Sequence, residues 1–280
     1  CIKAKNCFMK YDVQSAHKFS KEYSLLSSQI FAKDPLKLEN LPVYAACLLE
    51  TQDFSALYNL CYLLTENYPD HPVTYYVVGI HYFLSRSYET ARKFFKKSNS
   101  LDKNFIFSWI AIGHSFAIQD ESDHDSPLTQ AMSVYRTCTR LFPGSHLPHL
   151  YIGMENLRTN SLATAQLNFQ TAMDLCKTDP MVYNEIGVTF YKRRMFLEAR
   201  EYFLRAYNMC AESESWVQET ILCNIGHCLR KLGDHKAAIG YFEKAHMLNP
   251  RDGSILFALA FTHHISHQLT KAIRYYYRVD

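Results

Sequence analysis

Apolar residues recur along this chain at helical spacing, and small residues recur among them at a longer, nearly fixed interval. Gly79, Gly113, Gly153, Gly187, Gly226 and Ala260 each sit inside an apolar, helix-period stretch, at separations of 34, 40, 34, 39 and 34 residues. Twelve residues after this position comes an alanine series, Ala91, Ala165, Ala199, Ala238 and Ala272, with Ala131 displaced by six. Four further on stands an aromatic, as Phe95, Tyr135, Phe169, Phe203, Phe242 and Tyr276, and three beyond that Ala172, Ala206 and Ala245. Gly inside a helix costs roughly 1 kcal/mol relative to Ala, so its return at one register implies that a larger side chain would block a neighbouring helix. The alanines on the second helix are small for the same reason. The aromatics are expected to fill the space between one helix pair and the next. Pro69, Pro143 and Pro250 punctuate the unit ends, where the missing N–H stops a helix from continuing.

The pattern predicts an all-α chain, and it resembles the tetratricopeptide repeat, a pair of antiparallel helices. With the Gly as the eighth position, units start near Leu38, Pro72, Ile106, His146, Pro180, Glu219 and Gly253, the last cut short. Residues 38–280 are thus the array, and residues 1–37 a degenerate earlier helical repeat. Asp120 to Ser126 lengthens the turn inside the Ile106 unit, and Ala211 to Val217 the link before the Glu219 unit; both are polar enough to be expected as solvated loops. Such pairs cannot bury their apolar faces alone, so they are expected to stack into a right-handed superhelical solenoid with a concave inner surface. That object is a scaffold or a binding groove.

Composition narrows this only by exclusion. At 280 residues and 48% hydrophobic the chain can bury a large core, and no apolar run approaches the roughly 20 residues of a membrane span, so a soluble protein is expected. A net charge of +3 with no basic run longer than Lys192-Arg193-Arg194 gives no nucleic-acid footprint. Nine dispersed cysteines without a Cys-x-x-Cys pair argue against a disulfide framework and a zinc knuckle, and point to a reducing compartment. A start without Met and an end at Tyr275-Tyr-Tyr-Arg-Val-Asp280 read as a piece of a longer protein. There is no Gly-rich phosphate loop, nucleophile elbow or pair of carboxylates at catalytic spacing, so no catalytic residues and no cofactor are expected.

The stretches between the diagnostic positions are more particular. Trp109-Ile-Ala-Ile-Gly-His-Ser-Phe-Ala117, His146-Leu-Pro-His-Leu-Tyr-Ile-Gly-Met-Glu155, Asn184-Glu-Ile-Gly-Val188, Asn224-Ile-Gly-His227 with Arg230-Lys-Leu232, Lys33-Asp-Pro35 and Leu41-Pro-Val43 run in order along the chain. Together they resemble the cell-division-cycle-sixteen (Cdc16/Cut9-type) subunits of the anaphase-promoting complex, from about Lys33 to the end. The departures are the segment before Lys33 and the longer acidic insert at Asp120 to Ser126. The resemblance implies a non-catalytic scaffold of a multisubunit cell-cycle ubiquitin ligase, nuclear and cytoplasmic. It further implies a homodimer through N-terminal repeats, a small accessory subunit whose N-terminal segment lies in the C-terminal groove, and other tetratricopeptide subunits on the outer surface.

Groove side chains in such arrays come mostly from the first helix of each unit, around positions 2, 5, 6, 9, 12 and 13. Here these include Tyr151, Asn184, Glu185, Asn224, His227 and Arg230, the candidates for holding a partner. Asn184 and Asn224 can bond the backbone of an extended ligand, or bridge neighbouring helices. A buried Glu185, beside Tyr183 and Tyr151, needs a partner such as an Arg in the groove. A clamp for a chaperone's C-terminal carboxylate would need Lys and Asn at positions 5 and 9, which hold Tyr76 and Ile80, Ile110 and His114, Leu150 and Met154. Apolar walls with a few polar groups suit an extended peptide better. A protein glycosyltransferase arm would show a ladder of Asn at one register, whereas Asn184 and Asn224 stand at positions 5 and 6. A generic peptide-binding adaptor is the other alternative.

Three features carry a possible chemistry. Cys223-Asn-Ile-Gly-His-Cys-Leu-Arg-Lys-Leu-Gly233 combines thiols with an imidazole, but no third orienting group accompanies them, so it reads as a helix face with Gly226 at the close approach and Ile225, Cys228 and Leu229 in the core. His263 and His267 stand at the i, i+4 spacing of helical metal pairs, with no Cys or carboxylate to complete a set, so surface histidines are expected. Ser126-Pro127 after an acidic run is a minimal proline-directed phosphorylation site. The Tyr275 to Tyr277 run is expected to pack between repeats.

Overall fold

The structure, a computed structural model, describes residues 38, 41–50, 52–118, 127–210 and 216–279. The expected degenerate repeat over residues 1–37, the Asp120–Ser126 insert with its Ser126 and most of the second insert lie outside them. Among the described residues there are fourteen helices. They are α1 (Leu41–Glu50), α2 (Phe54–Asn67), α3 (Pro72–Leu84), α4 (Tyr88–Leu101), α5 (Ile106–Ala117), α6 (Pro127–Leu141), α7 (Leu147–Arg158), α8 (Leu162–Leu175), α9 (Pro180–Lys192), α10 (Phe196–Cys210), α11 (Trp216–Lys231), α12 (His235–Leu248), α13 (Gly253–Ile265) and α14 (Leu269–Tyr276). Trp216 and Val217, assigned to a loop by sequence, instead open α11, where Val217 is buried. The reason is its neighbours: Ile221, Leu222 and Ile225 continue the same buried stripe one and two turns on.

The chain divides into two compact units, residues up to Asn160 and from Ser161 onwards. Each is a stack of antiparallel helix pairs, and the fold is that of the all-α tetratricopeptide solenoid. The recurring small and aromatic positions explain the pairing. A Cβ on Gly187 would stand 2.6 Å from Cε1 of Phe203, and one on Gly226 2.7 Å from Cε1 of Phe242; Gly79 meets Phe95 and Gly113 meets Tyr135 in the same way. The aromatic therefore seats on the glycine of its own pair, where sequence placed it between one pair and the next. Phe95, Tyr135, Phe203 and Phe242 are sealed in these seats, and the alanines at positions 91, 131, 165, 199, 238 and 272 are buried with them.

Helix starts follow the usual chemistry. Asp53, Asp179, Asp234 and Asp252 accept backbone N–H bonds in the first turns of α2, α9, α12 and α13, and proline occupies the first turns of α3, α7 and α9. The turns between paired helices were not anticipated. Gln52, Arg86, Asn160, Arg194, Gly233 and His267 all have positive φ, from 53° to 86°, and all stand at the fifteenth position of their units. The next residue's N–H then reaches back across the turn, as from Ser87 to Tyr82 O (2.9 Å), Met195 to Phe190 O (3.0 Å) and Gln268 to His263 O (2.9 Å). This is the left-handed helix stop that glycine normally supplies, occupied five times out of six by another residue.

Candidate functional site

Five of the six candidate residues lie in the second unit, on the first helices of two consecutive repeats. Helices α9 and α11 pack against each other there, and their polar side chains join across the contact. The Nδ2 of Asn184 donates to Glu185 Oε1 at 2.9 Å, and the Nδ2 of Asn224 donates to Asn184 Oδ1 at 2.9 Å. Of the two roles open to the asparagines, bridging helices is the one the structure displays. Asn184 is only 2% exposed and its two ends are engaged, so it is a tie between α9 and α11 rather than a surface donor.

Glu185 is buried among these groups, and its partner is the Asn184 amide rather than an arginine. Burial pushes its carboxyl up to about 7, opposed by the Asn184 hydrogen bond and the positive charge of Lys192. An amide neighbour satisfies an oxygen without neutralising a charge, which is why the shift survives.

One turn along α11 the chemistry changes. The His227 ring meets Phe242 edge to face at 5.0 Å, and its Nδ1 lies 3.4 Å from the Nη2 of Arg230. Burial first, then the charges of Arg230 and Lys231, lower its pKa to about 4, so His227 is neutral at physiological pH. The Arg230 guanidinium stacks over the Phe261 ring at 5.0 Å, and its buried Nε has no partner among the described residues. Asn224, His227 and Arg230 thus form a strip of an amide, a neutral imidazole and a cation on an aromatic face. Sequence reasoning missed Phe261, although it occupies the ninth position of its unit, the register of His227, and that signal would have found it.

The sixth candidate is elsewhere. Tyr151, on α7 of the first unit, meets the His114 ring edge to face at 4.4 Å and stacks on Tyr135 at 5.6 Å. The Tyr135 hydroxyl lies 3.0 Å from His114 Nδ1, and burial lowers the His114 pKa to about 4. Tyr151 is therefore part of a packed aromatic cluster of α5, α6 and α7, not a member of the polar strip.

The Cys223 thiol is pushed up to about 12 by burial and by Glu219 and Asp252, so at neutral pH it is protonated and a poor nucleophile. Ile225, Cys228 and Leu229 are in the core as the sequence indicated. His263, expected at the surface, is buried: its ring stacks on Tyr275 at 5.5 Å and its Nδ1 lies 3.0 Å from Gln268 Oε1. The helix stop at His267 brings Gln268 and α14 back over it, while His264 and His267 remain exposed. Within the same run Tyr276 packs on Phe257 at 6.0 Å and Tyr277 is exposed. Among the described residues no three His, Cys, Asp or Glu side chains converge as a metal site, and no helix is long and apolar enough to cross a membrane.

Comparison with known proteins agrees with the repeat. A tetratricopeptide repeat model matches residues 179–247, the stretch holding α9 to α12. Anaphase-promoting complex subunit 6 of Arabidopsis thaliana is 38% identical over 86% of this chain and 43% of that protein, and subunit CDC16 of Saccharomyces cerevisiae is 32% identical over 89% and 29%. Among solved structures, the APC/C hetero-tetramer Cut9-Hcn1 superposes with a TM-score of 0.80 and 28% identity, over 99% of this chain and 51% of that one. The chain is thus similar to Cdc16/Cut9-type tetratricopeptide subunits over most of its length. It spans less than half the length of these two curated relatives.

Proposed function

We propose that this chain is part of a non-catalytic tetratricopeptide subunit of an anaphase-promoting complex, the ubiquitin ligase of the cell division cycle, working in the nucleus and cytoplasm. The observation that carries the reading is the likeness, over 99% of the chain, to Cut9 as it occurs in a hetero-tetramer with Hcn1. The role is that of a scaffold: it pairs with a second copy through its N-terminal repeats, packs against other tetratricopeptide subunits, and holds the N-terminal segment of a small accessory subunit.

The strip on α11 supplies the chemistry for such a segment. Arg230, spread over Phe261 and only partly buried, can donate through its guanidinium N–H groups to a backbone carbonyl or a carboxylate. His227, neutral, can accept or donate one hydrogen bond. Asn224 holds the backbone beside them, while Asn184 and Glu185 act behind it, fixing its rotamer and the spacing of α9 and α11. The buried tie also weakens the glycosyltransferase-arm reading, because an Asn ladder needs amides free to meet the ligand.

Co-expression with Hcn1, followed by affinity capture and light scattering on the eluted species, tests this. The expected result is a complex with two copies of each chain, weakened about tenfold by Arg230→Ala. A monomeric protein that leaves Hcn1 in the flow-through would remove both the dimer and the accessory-subunit roles.

A further inference from the structure

A trough of about 980 Å³ lies in the first unit among α4, α5 and α6, away from the strip on α11. Its floor is apolar and aromatic, formed by Trp109, Phe116 and Val134, and Lys96 and Lys103 stand on its α4 side. Both lysines are exposed, and among the described residues no carboxylate lines the trough. Asn99 is among its lining residues, more than nine-tenths buried, with neither Nδ2 nor Oδ1 hydrogen-bonded to any described residue.

An orphaned buried amide forfeits the hydrogen bonds it would make in water, and packed domains rarely keep one without a use. Its neighbour Ser98, fully buried, shows the contrast: its hydroxyl donates to Pro72 O at 2.7 Å and accepts from Ser108 at 2.7 Å. What Asn99 lacks is a partner with one donor and one acceptor at amide spacing, and a peptide backbone in extended form presents that pair. The aromatic floor calls for one or two apolar side chains, and two lysines with no carboxylate among the described lining residues call for carboxylates. We propose that this trough is a docking site for an extended acidic segment of a partner protein, with its backbone paired to Asn99, an apolar side chain on Trp109 and Phe116, and carboxylates on Lys96 and Lys103.

The site stands independently of the anaphase-promoting reading, and Trp109 reports on it directly. The indole N–H donates to Lys103 O at 3.1 Å, so a ligand reaching Lys103 alters its surroundings. In a Trp216→Phe background Trp109 is the sole tryptophan. The probe is the blocked peptide Asp-Glu-Leu-Asp-Phe-Glu-Asp, titrated against its uncharged counterpart Asn-Gln-Leu-Asn-Phe-Gln-Asn and against citrate as a free polyanion. The acidic peptide is expected to change Trp109 emission saturably, to bind at least tenfold tighter than the uncharged one, and to weaken with salt. Asn99→Leu is expected to lower its affinity about tenfold. Lys96→Glu with Lys103→Glu, two exposed changes that leave folding intact, is expected to abolish it. Equal binding of the two peptides, binding of citrate as tight as that of the acidic peptide, or an Asn99→Leu protein that gains stability and binds unchanged would each overturn the proposal.

Discussion

His114 in the first unit and His227 in the second hold the same place in their repeats, one residue after the close-approach glycine, with the repeat's buried aromatic against the ring. Burial takes both to a pKa of about 4. They end differently because of single atoms around them. At His114 the aromatic is Tyr135, whose hydroxyl engages Nδ1 at 3.0 Å, and Tyr151 closes the other side, so the polar capacity is consumed within the fold. At His227 the aromatic is Phe242, which offers no hydroxyl, and the nearest polar atom on Nδ1 is the Arg230 guanidinium at 3.4 Å. One ring is tied to a tyrosine hydroxyl, the other lies against an arginine. The frame decides where a side chain goes; what its neighbours leave unsatisfied decides whether it can bind anything.

The largest effect tests that the frame is common to both. Gly113→Val and Gly226→Val each force atoms into the aromatic ring seated on the glycine, and overpacking of this kind costs about 3 kcal/mol or more. Chemical denaturation should show similar losses at the two sites. A loss at only one would mean that the two pairs are not built alike.

The next effect belongs to the second unit alone. Glu185 titrates near 7 in the folded chain against about 4.5 unfolded. Its raised pKa means that the folded state holds the proton longer, so stability falls as pH rises from about 4.5 to about 7 and stays low above. At roughly 1.4 kcal/mol per pKa unit the loss is on the order of 3 kcal/mol. Glu185→Gln keeps an acceptor for Asn184 and removes the charge. Its denaturation midpoint should exceed that of the parent at pH 8 and converge with it at pH 4. Parallel pH profiles for the two proteins would break the link between burial and titration.

A smaller, reciprocal exchange addresses the comparison itself. Tyr135→Phe strips the hydrogen bond from His114 and should cost about 1 kcal/mol, while Phe242→Tyr offers a hydroxyl to His227 and should gain less than that. With its imidazole occupied, the second protein is expected to hold the accessory segment several-fold more weakly. Unchanged capture by Phe242→Tyr would show that His227 takes no part in binding.

How far the sequence foretold this divides along the same line. Period-34 glycines, alanines and aromatics are visible without coordinates because each is the only size that fits its place, so the fold and the groups on the first helices were readable. The Asn184–Asn224 bond was not. The two stand 40 residues apart at positions 5 and 6, an offset that in sequence counts only against an Asn ladder, and the structure joins them across α9 and α11. The depth of His263 was hidden too, since it depends on a turn that folds Gln268 and Tyr275 back over it. Asn99 gave no signal at all, because being unpartnered is a property of its surroundings rather than of its residue type.

The smallest effect concerns the turns, which serve both units and bear on neither site. Arg86 and Arg194 adopt φ of 59° and 63° at the position that Gly233 fills with 86°. A side chain with a Cβ pays roughly 1 kcal/mol for the left-handed conformation, part of which a glycine returns as extra freedom of the unfolded chain. Arg86→Gly and Arg194→Gly are therefore each expected to raise stability by about 0.5 kcal/mol, and Gly233→Arg to lower it by a similar amount. Thermal melts of the three variants read this out. If Arg86→Gly and Arg194→Gly moved in opposite directions, the arginine side chains rather than the backbone would govern the turns. Two units alike in their frame would then differ in their joints as well as in their surfaces.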